Sequence, residues 1–168
     1  MSTLPERAAD ARHTERAMLL AANGNPEAME YMRIFAQSIR LIDDIEDGDN
    51  PPVDAGFLAH LVLVALPRNP FLARYAAHLI PAHDIAINAW QDANELPPED
   101  RLTVFWADLV NEVAQVVAGI TGGYAYRRKV SMEIRQLLYR NGAEKSDPAS
   151  METPSRSALS SNLVTPHP

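Results

Sequence analysis

The chain of 168 residues carries a formal net charge of −7, is 46% hydrophobic and contains no cysteine. The lack of cysteine excludes disulfides, thiolate metal sites and cysteine nucleophiles. It gives only a weak preference for a reducing compartment, from which we expect the cytoplasm. Because the net charge repels nucleic acid phosphates, sequence-specific nucleic acid binding is not expected.

The distribution of charged and apolar residues predicts neither a secretory signal nor a membrane span. Residues 1–12 are charged and lack an apolar stretch, which predicts no secretory signal. The longest apolar run, 57–66, is interrupted by His60 and is shorter than the about 20 residues that cross a bilayer. We therefore expect no membrane span.

Proline, glycine and asparagine clusters divide the chain into stretches whose apolar residues recur at helical spacing. The predicted helices cover residues 5–22, 26–47, 54–66, 70–94, 99–119 and 124–140. Pro81 predicts a kink about one turn before His83. The fold expected is all-α, a single-domain bundle of about six helices over residues 1–142. Residues 143–168, rich in Ser and Pro, are predicted to be a disordered tail. The composition is compatible with a homodimer.

Five acidic residues fall within residues 43–49, where a helix with a core-facing apolar stripe ends. Asp43 and Asp47 share one helix face a turn apart, and Asp44 lies beside them. Mg²⁺ binds carboxylate oxygens together with substrate phosphates, so this spacing predicts a magnesium site for a diphosphate. The alternative is a solvated helix end in which Asp44 pairs with Arg40.

Residues 41–49 resemble the first aspartate-rich motif of class I isoprenoid synthases, which include polyprenyl and terpene synthases. The resemblance implies an all-helical bundle that binds a prenyl diphosphate through Mg²⁺, with Asp43, Asp44 and Asp47 as metal ligands. It also implies a Mg²⁺-dependent transferase or lyase, although no catalytic residue is identified. The motif is not repeated later in the chain.

A second polar set lies on the fourth predicted helix, where Asp84, Asn88 and Asp92 are spaced at i, i+4 and i+8. The set is similar to the second metal motif of terpene cyclases, which implies a further metal-binding role. An exposed polar stripe on an amphipathic helix explains the same pattern.

Two further groups complete the predicted site. Glu112 falls on the apolar stripe of the fifth predicted helix, so it either joins the inward-pointing metal ligands or pairs with an arginine at the edge of the stripe. Arg127, Arg128 and Lys129 are candidate phosphate ligands, because guanidinium groups make bidentate contacts to phosphoryl oxygens. A run of this kind is also typical of a solvated face.

Two other functions remain open. The pair His83-Asp84 resembles the core of the HD phosphohydrolases, which implies a metal site completed by His60 and either Asp92 or Asp108. Alternatively, the chain is a non-catalytic helical structural or interaction protein. In its short length and acid-rich helix it resembles uncharacterised phage proteins.

Overall fold

The computed structural model describes residues 4–46, 48, 54–96 and 109–145, and 94% of them are helical, with no strand among them. The all-α prediction is confirmed. The described residues form five helical segments, which we label in chain order. They are α1 (Leu4–Ala22), α2 (Pro26–Glu46), α3 (Ala55–Arg68), α4 (Pro70–Glu95) and α5 (Leu109–Lys145).

Side-chain caps start three of these helices where the sequence places them. Asn25 Oδ1 accepts a hydrogen bond from the Ala28 amide, just before Pro26 opens α2. Asp54 caps α3, and Asn69 Oδ1 accepts from the amides of Phe71 and Leu72 at the start of α4. These caps satisfy amides that have no partner within their own helix.

Helix α3 is not a regular α-helix throughout. It consists of α-helical Ala55–His60, π-helical Leu61–Ala65 and a final α-helical turn, Leu66–Arg68. In the π-helical part the Leu66 amide donates to the Leu61 carbonyl, five residues back. Runs of π-helix are rare in proteins, and those that do occur are frequently found at functional sites.

Five helical segments are described rather than the predicted about six, because the predicted fifth and sixth helices are joined in one segment, α5, which is interrupted at Gly123. Gly123 has φ 75° and ψ −177°, which turns the chain. Arg135 Nη1 lies 2.9 Å from Glu112 Oε1, although 23 residues would span about 35 Å of straight helix. Segment α5 is therefore a helical hairpin with arms 109–122 and 124–145. Part of the predicted fifth helix, 99–108, lies outside the described residues.

Two other predicted boundaries also shift. The non-helical residue in α4 is Tyr75 rather than a position next to Pro81, so the helix distorts on the N-terminal side of the proline and further from it than expected. Segment α5 continues to Lys145, past residue 140, where the last predicted helix ends. The rest of the predicted tail lies outside the described residues.

The core forms where α1 and α2 pack against the α5 hairpin and α4. Its largest fully buried side chains are Tyr31, Met32, Phe71, Leu79, Val113, Val117, Ile134 and Leu138. The tip of the hairpin also caps the end of α1. Thr121 Oγ1 donates to the Ala21 carbonyl and the Tyr126 hydroxyl donates to the Leu20 carbonyl, each over 2.8 Å. These carbonyls belong to the last turn of α1, where the helix itself supplies no donor.

Candidate functional site

The acidic run begins on the last turn of α2, as predicted. Met32 and Phe35 on the same helix are buried and Ile39 packs against the core, so the apolar stripe that leads to the acids is confirmed. Asp43 and Asp44 are half-buried, and Asp47 lies outside the described residues. A magnesium-binding role for these three acids stays a prediction.

The second polar set lies on the outside of the molecule. Asp84, Asn88 and Asp92 are all exposed on α4, which is the arrangement of a solvated polar stripe. Among the described residues no group of three or more histidine or acidic side chains is placed to share a metal ion. Asp43, Asp84 and Glu112 therefore do not meet in the part of the chain that the structure describes.

Glu112 belongs instead to a polar layer between the two arms of α5. Its carboxylate pairs with Arg135 at 2.9 Å, and neighbouring Gln115 donates to the Ser131 carbonyl at 3.4 Å. Asn111 on the same arm is buried, and its Oδ1 accepts no hydrogen bond from the described residues. The position of Glu112 is thus explained by an arginine partner across the hairpin.

The basic run on α5 is divided between two environments. Arg128 and Lys129 are exposed, whereas Arg127 is half-buried, lies beside Gly119 and places its guanidinium over the Tyr124 ring at 5.7 Å. Arg127 therefore packs across the tip of the hairpin. A phosphate-binding role for the three residues stays a prediction.

The set proposed for an HD phosphohydrolase is not assembled among the described residues. His60 is exposed on α3 and Asp84 is exposed on α4, while His83 is half-buried against α2. Asp108 lies outside the described residues.

His83 instead belongs to an aromatic cluster that joins α4 to α2. Its Nε2 lies 2.6 Å from the hydroxyl of Tyr31, and its ring stacks on Phe35 with the centroids 4.6 Å apart. Phe71 closes the cluster from the start of α4, 5.7 Å from the Tyr31 ring. This cluster was not predicted, because no local sequence pattern indicates which aromatic residue of α2 faces a given histidine of α4.

Burial of His83 predicts a loss of stability at acid pH. Removal from water lowers the pKa of His83 below the about 6.5 of an unfolded chain. The unfolded state therefore binds more protons in the interval between the two pKa values. The stabilisation is complete above about pH 6.5 and is lost as the pH falls through the interval to the folded-state pKa.

Urea denaturation of the wild type and of His83→Gln at a series of pH values between 7 and 5 measures this effect. The wild type should lose more stability than His83→Gln as the pH falls. His78→Gln, at an exposed position on the same helix, should behave like the wild type. Parallel curves for the wild type and His83→Gln would contradict the assignment.

Helix α3 has a strongly apolar sequence, but most of its apolar side chains are not buried. Ten of its fourteen residues are hydrophobic, yet only Leu61 is fully buried. Leu63 is 72% exposed, Phe57 40% and Val62 38%. The sequence predicted a helix over 54–66 but did not indicate which of its apolar residues are exposed.

No single described helix is long and apolar enough to cross a membrane. Helices α3 and α4 meet the criteria of length and hydropathy only when they are taken together, and they are bent by 97° where they join. No family model, no curated protein and no solved structure matches the chain.

Proposed function

We propose that this protein is a non-catalytic interaction module in which α3 is the element that meets the partner. The exposure of α3 supports this function. An amphipathic surface helix keeps its apolar residues on one face, whereas a helix that is apolar all round is normally enclosed. Leu61 is the one buried residue of α3, and the apolar surface of the exposed Phe57, Val62 and Leu63 is available to a partner.

The contacts of α3 with the rest of the chain agree with this role. The helix touches the neighbouring segments α2 and α4, while the core forms between α1, α2, α4 and α5. Full burial of a leucine is worth about 1.5–3 kcal/mol. Exposed Leu63 and its neighbours do not contribute this energy to folding, so a partner that covers them gains it as binding energy.

The magnesium-dependent binding or turnover of a diphosphate is the second candidate. It is favoured by the position of Asp43 and Asp44, which are half-buried and continue the core-facing stripe of α2. This candidate requires acids from other parts of the chain to complete the site, because Mg²⁺ is held by carboxylates and substrate phosphates together.

Thermal unfolding with Mg²⁺ and inorganic pyrophosphate separates the two candidates. An interaction module should melt at the same temperature with and without these ligands. A diphosphate site should add about 2.7 kcal/mol at a ligand concentration of 100 Kd, which raises the Tm of a protein of this size by about 5–11 °C.

The Asp43→Asn variant serves as the test of location, with Glu30→Gln, an exposed acid of the same helix, as its matched control. An increase in Tm that Asp43→Asn abolishes and Glu30→Gln retains would reject the non-catalytic function in favour of the diphosphate site. If Mg²⁺ and pyrophosphate left the Tm of the wild type and of both variants unchanged, the result would support the interaction module.

A further inference from the structure

The outer side of α3 is a narrow face with one large apolar side chain on it. Gly56, Ala59, His60 and Leu63 are spaced at i, i+3, i+4 and i+7, which places them on one side of the helix, and all four are exposed. Leu63 is 72% exposed. Because Gly56 and Ala59 have small side chains, a second helix can approach this face closely.

The sequence of α3 is complementary to itself in the antiparallel direction. We consider two copies of α3 that lie antiparallel, with position 61 of one at the level of position 61 of the other. In this register a large residue of one copy always meets a small residue of the other: the pairs are Leu63 with Ala59, Leu66 with Gly56 and Phe57 with Ala65. Large and small side chains at facing positions allow two surfaces to interdigitate. The helix therefore suits a twofold contact, in which the same surface serves both copies.

The charges at the two ends of α3 follow the same symmetry. Asp54 caps the start of the helix and Arg68 ends it, and each lies seven positions from Leu61. Both are exposed, and among the described residues neither belongs to an ion pair. In the antiparallel register Asp54 of each copy lies at the level of Arg68 of the other. A parallel arrangement brings like charges together, so the charges favour the antiparallel one.

The size of the contact indicates a weak dimer. The fourteen residues of α3 extend over about 21 Å, and a helix is about 10 Å wide. This face is much smaller than the surface of about 800 Å² that each partner buries in a standard interface, and smaller interfaces are typical of transient complexes. A reversible association is therefore expected rather than a permanent dimer.

We propose that α3 is the contact surface of a reversible twofold homodimer, in which α3 of one copy packs antiparallel on α3 of the other. The inference rests on the proposed interaction function and identifies a second copy of this chain as the partner. Leu63 provides the apolar contact near the twofold axis. Asp54 and Arg68 fix the register at the two ends of the helix.

Sedimentation velocity of the full chain, from micromolar to millimolar concentrations, tests this proposal. The wild type should pass from monomer to dimer. Leu63→Ser should raise the dissociation constant at least about 100-fold, because the burial of two leucines, one from each copy, is lost. The matched control is Met132→Ser, which removes an apolar side chain that is 66% exposed on α5.

The control variant should dimerise like the wild type, and both variants should retain the helical circular dichroism of the wild type. Equal loss of the dimer in Leu63→Ser and Met132→Ser would overturn the assignment to α3. A dimer that Leu63→Ser leaves intact would overturn it as well.

Charge reversal tests the antiparallel register. Arg68→Glu should weaken the dimer about tenfold, because two attractive pairs become two pairs of acids. Asp54→Lys should weaken it at least as much, since two pairs of bases form and the cap of α3 is lost. An equimolar mixture of the two variants should associate more strongly than either variant alone, because both contacts then join an acid to a base. A mixture that associates no better than its components would overturn the register.

The remaining outcomes separate this proposal from the interaction function itself. A wild type that stays monomeric at every concentration would overturn the second copy as the partner, and the interaction function would then require a different protein. A Tm increase with Mg²⁺ and pyrophosphate that Asp43→Asn abolishes would instead reject the interaction function.

Discussion

Replacement of Gly122 by alanine should destabilise the protein by about 2–4 kcal/mol. An added Cβ would lie 2.3 Å from Cδ1, 2.4 Å from Cγ and 2.6 Å from Cβ of Tyr126. Because the Cβ of Tyr126 is fixed to the backbone, rotation of the ring alone cannot remove the overlap. Overpacking of this kind costs about 1–3 kcal/mol, and displacement of Tyr126 also removes its hydrogen bond to the Leu20 carbonyl, worth about 1 kcal/mol.

Urea denaturation of Gly122→Ala beside Gly119→Ala measures the effect with a control in the same arm of α5. A Cβ at Gly119 meets only the Arg127 side chain, at an ordinary distance of 3.5 Å. Since alanine is the better helix former by about 0.8–1 kcal/mol, Gly119→Ala should be neutral or stabilising. A Gly122→Ala variant as stable as the wild type would show that the tip of the hairpin is arranged differently.

Replacement of Tyr31 by alanine should cost about 3–5 kcal/mol, the range found for large aromatic residues in protein cores. Tyr31 is completely buried, and its ring contacts those of Phe35, Phe71 and His83. Loss of the ring leaves a cavity where α2 meets α4, and it removes the hydroxyl that lies 2.6 Å from His83.

Two further variants divide this cost between packing and hydrogen bonding. Tyr31→Phe keeps the ring and leaves His83 Nε2 without its partner, which should cost about 1–3 kcal/mol. Tyr124→Ala, which removes a tyrosine that is 71% exposed, should cost less than about 1 kcal/mol. If Tyr31→Ala and Tyr124→Ala destabilised the protein equally by urea denaturation, the cluster would not be part of the core.

Helix positions were the part of the fold that the sequence predicted well, because their signals are local. Pro26 and Pro70 open helices after asparagine caps, and the apolar stripe of α2 faces the core from Met32 to Ile39. Caps and periodicity act within a few residues, so they can be read directly from the chain.

Contacts between distant residues could not be predicted in the same way. The sequence is compatible with Glu112 as a metal ligand or as the partner of an arginine, and only the return of the α5 hairpin brings Arg135 to it. The burial of His83 depends on Tyr31, 52 residues earlier. The exposure of α3 could not be predicted either, because a short apolar run has the same sequence pattern whether the rest of the protein or a partner covers it.

The capping of α1 by the tip of the α5 hairpin has a consequence for synthesis on the ribosome. Thr121 and Tyr126 reach the last carbonyls of α1 from 100 and 106 residues further along the chain. Helix α1 is translated before its principal packing partner, the α5 hairpin, so the face of α1 that packs against α5 stays uncovered while the residues between them are added. At about 5–20 residues per second this interval lasts roughly 5–20 s. Long-range pairing of this kind slows folding relative to a bundle of sequential neighbours.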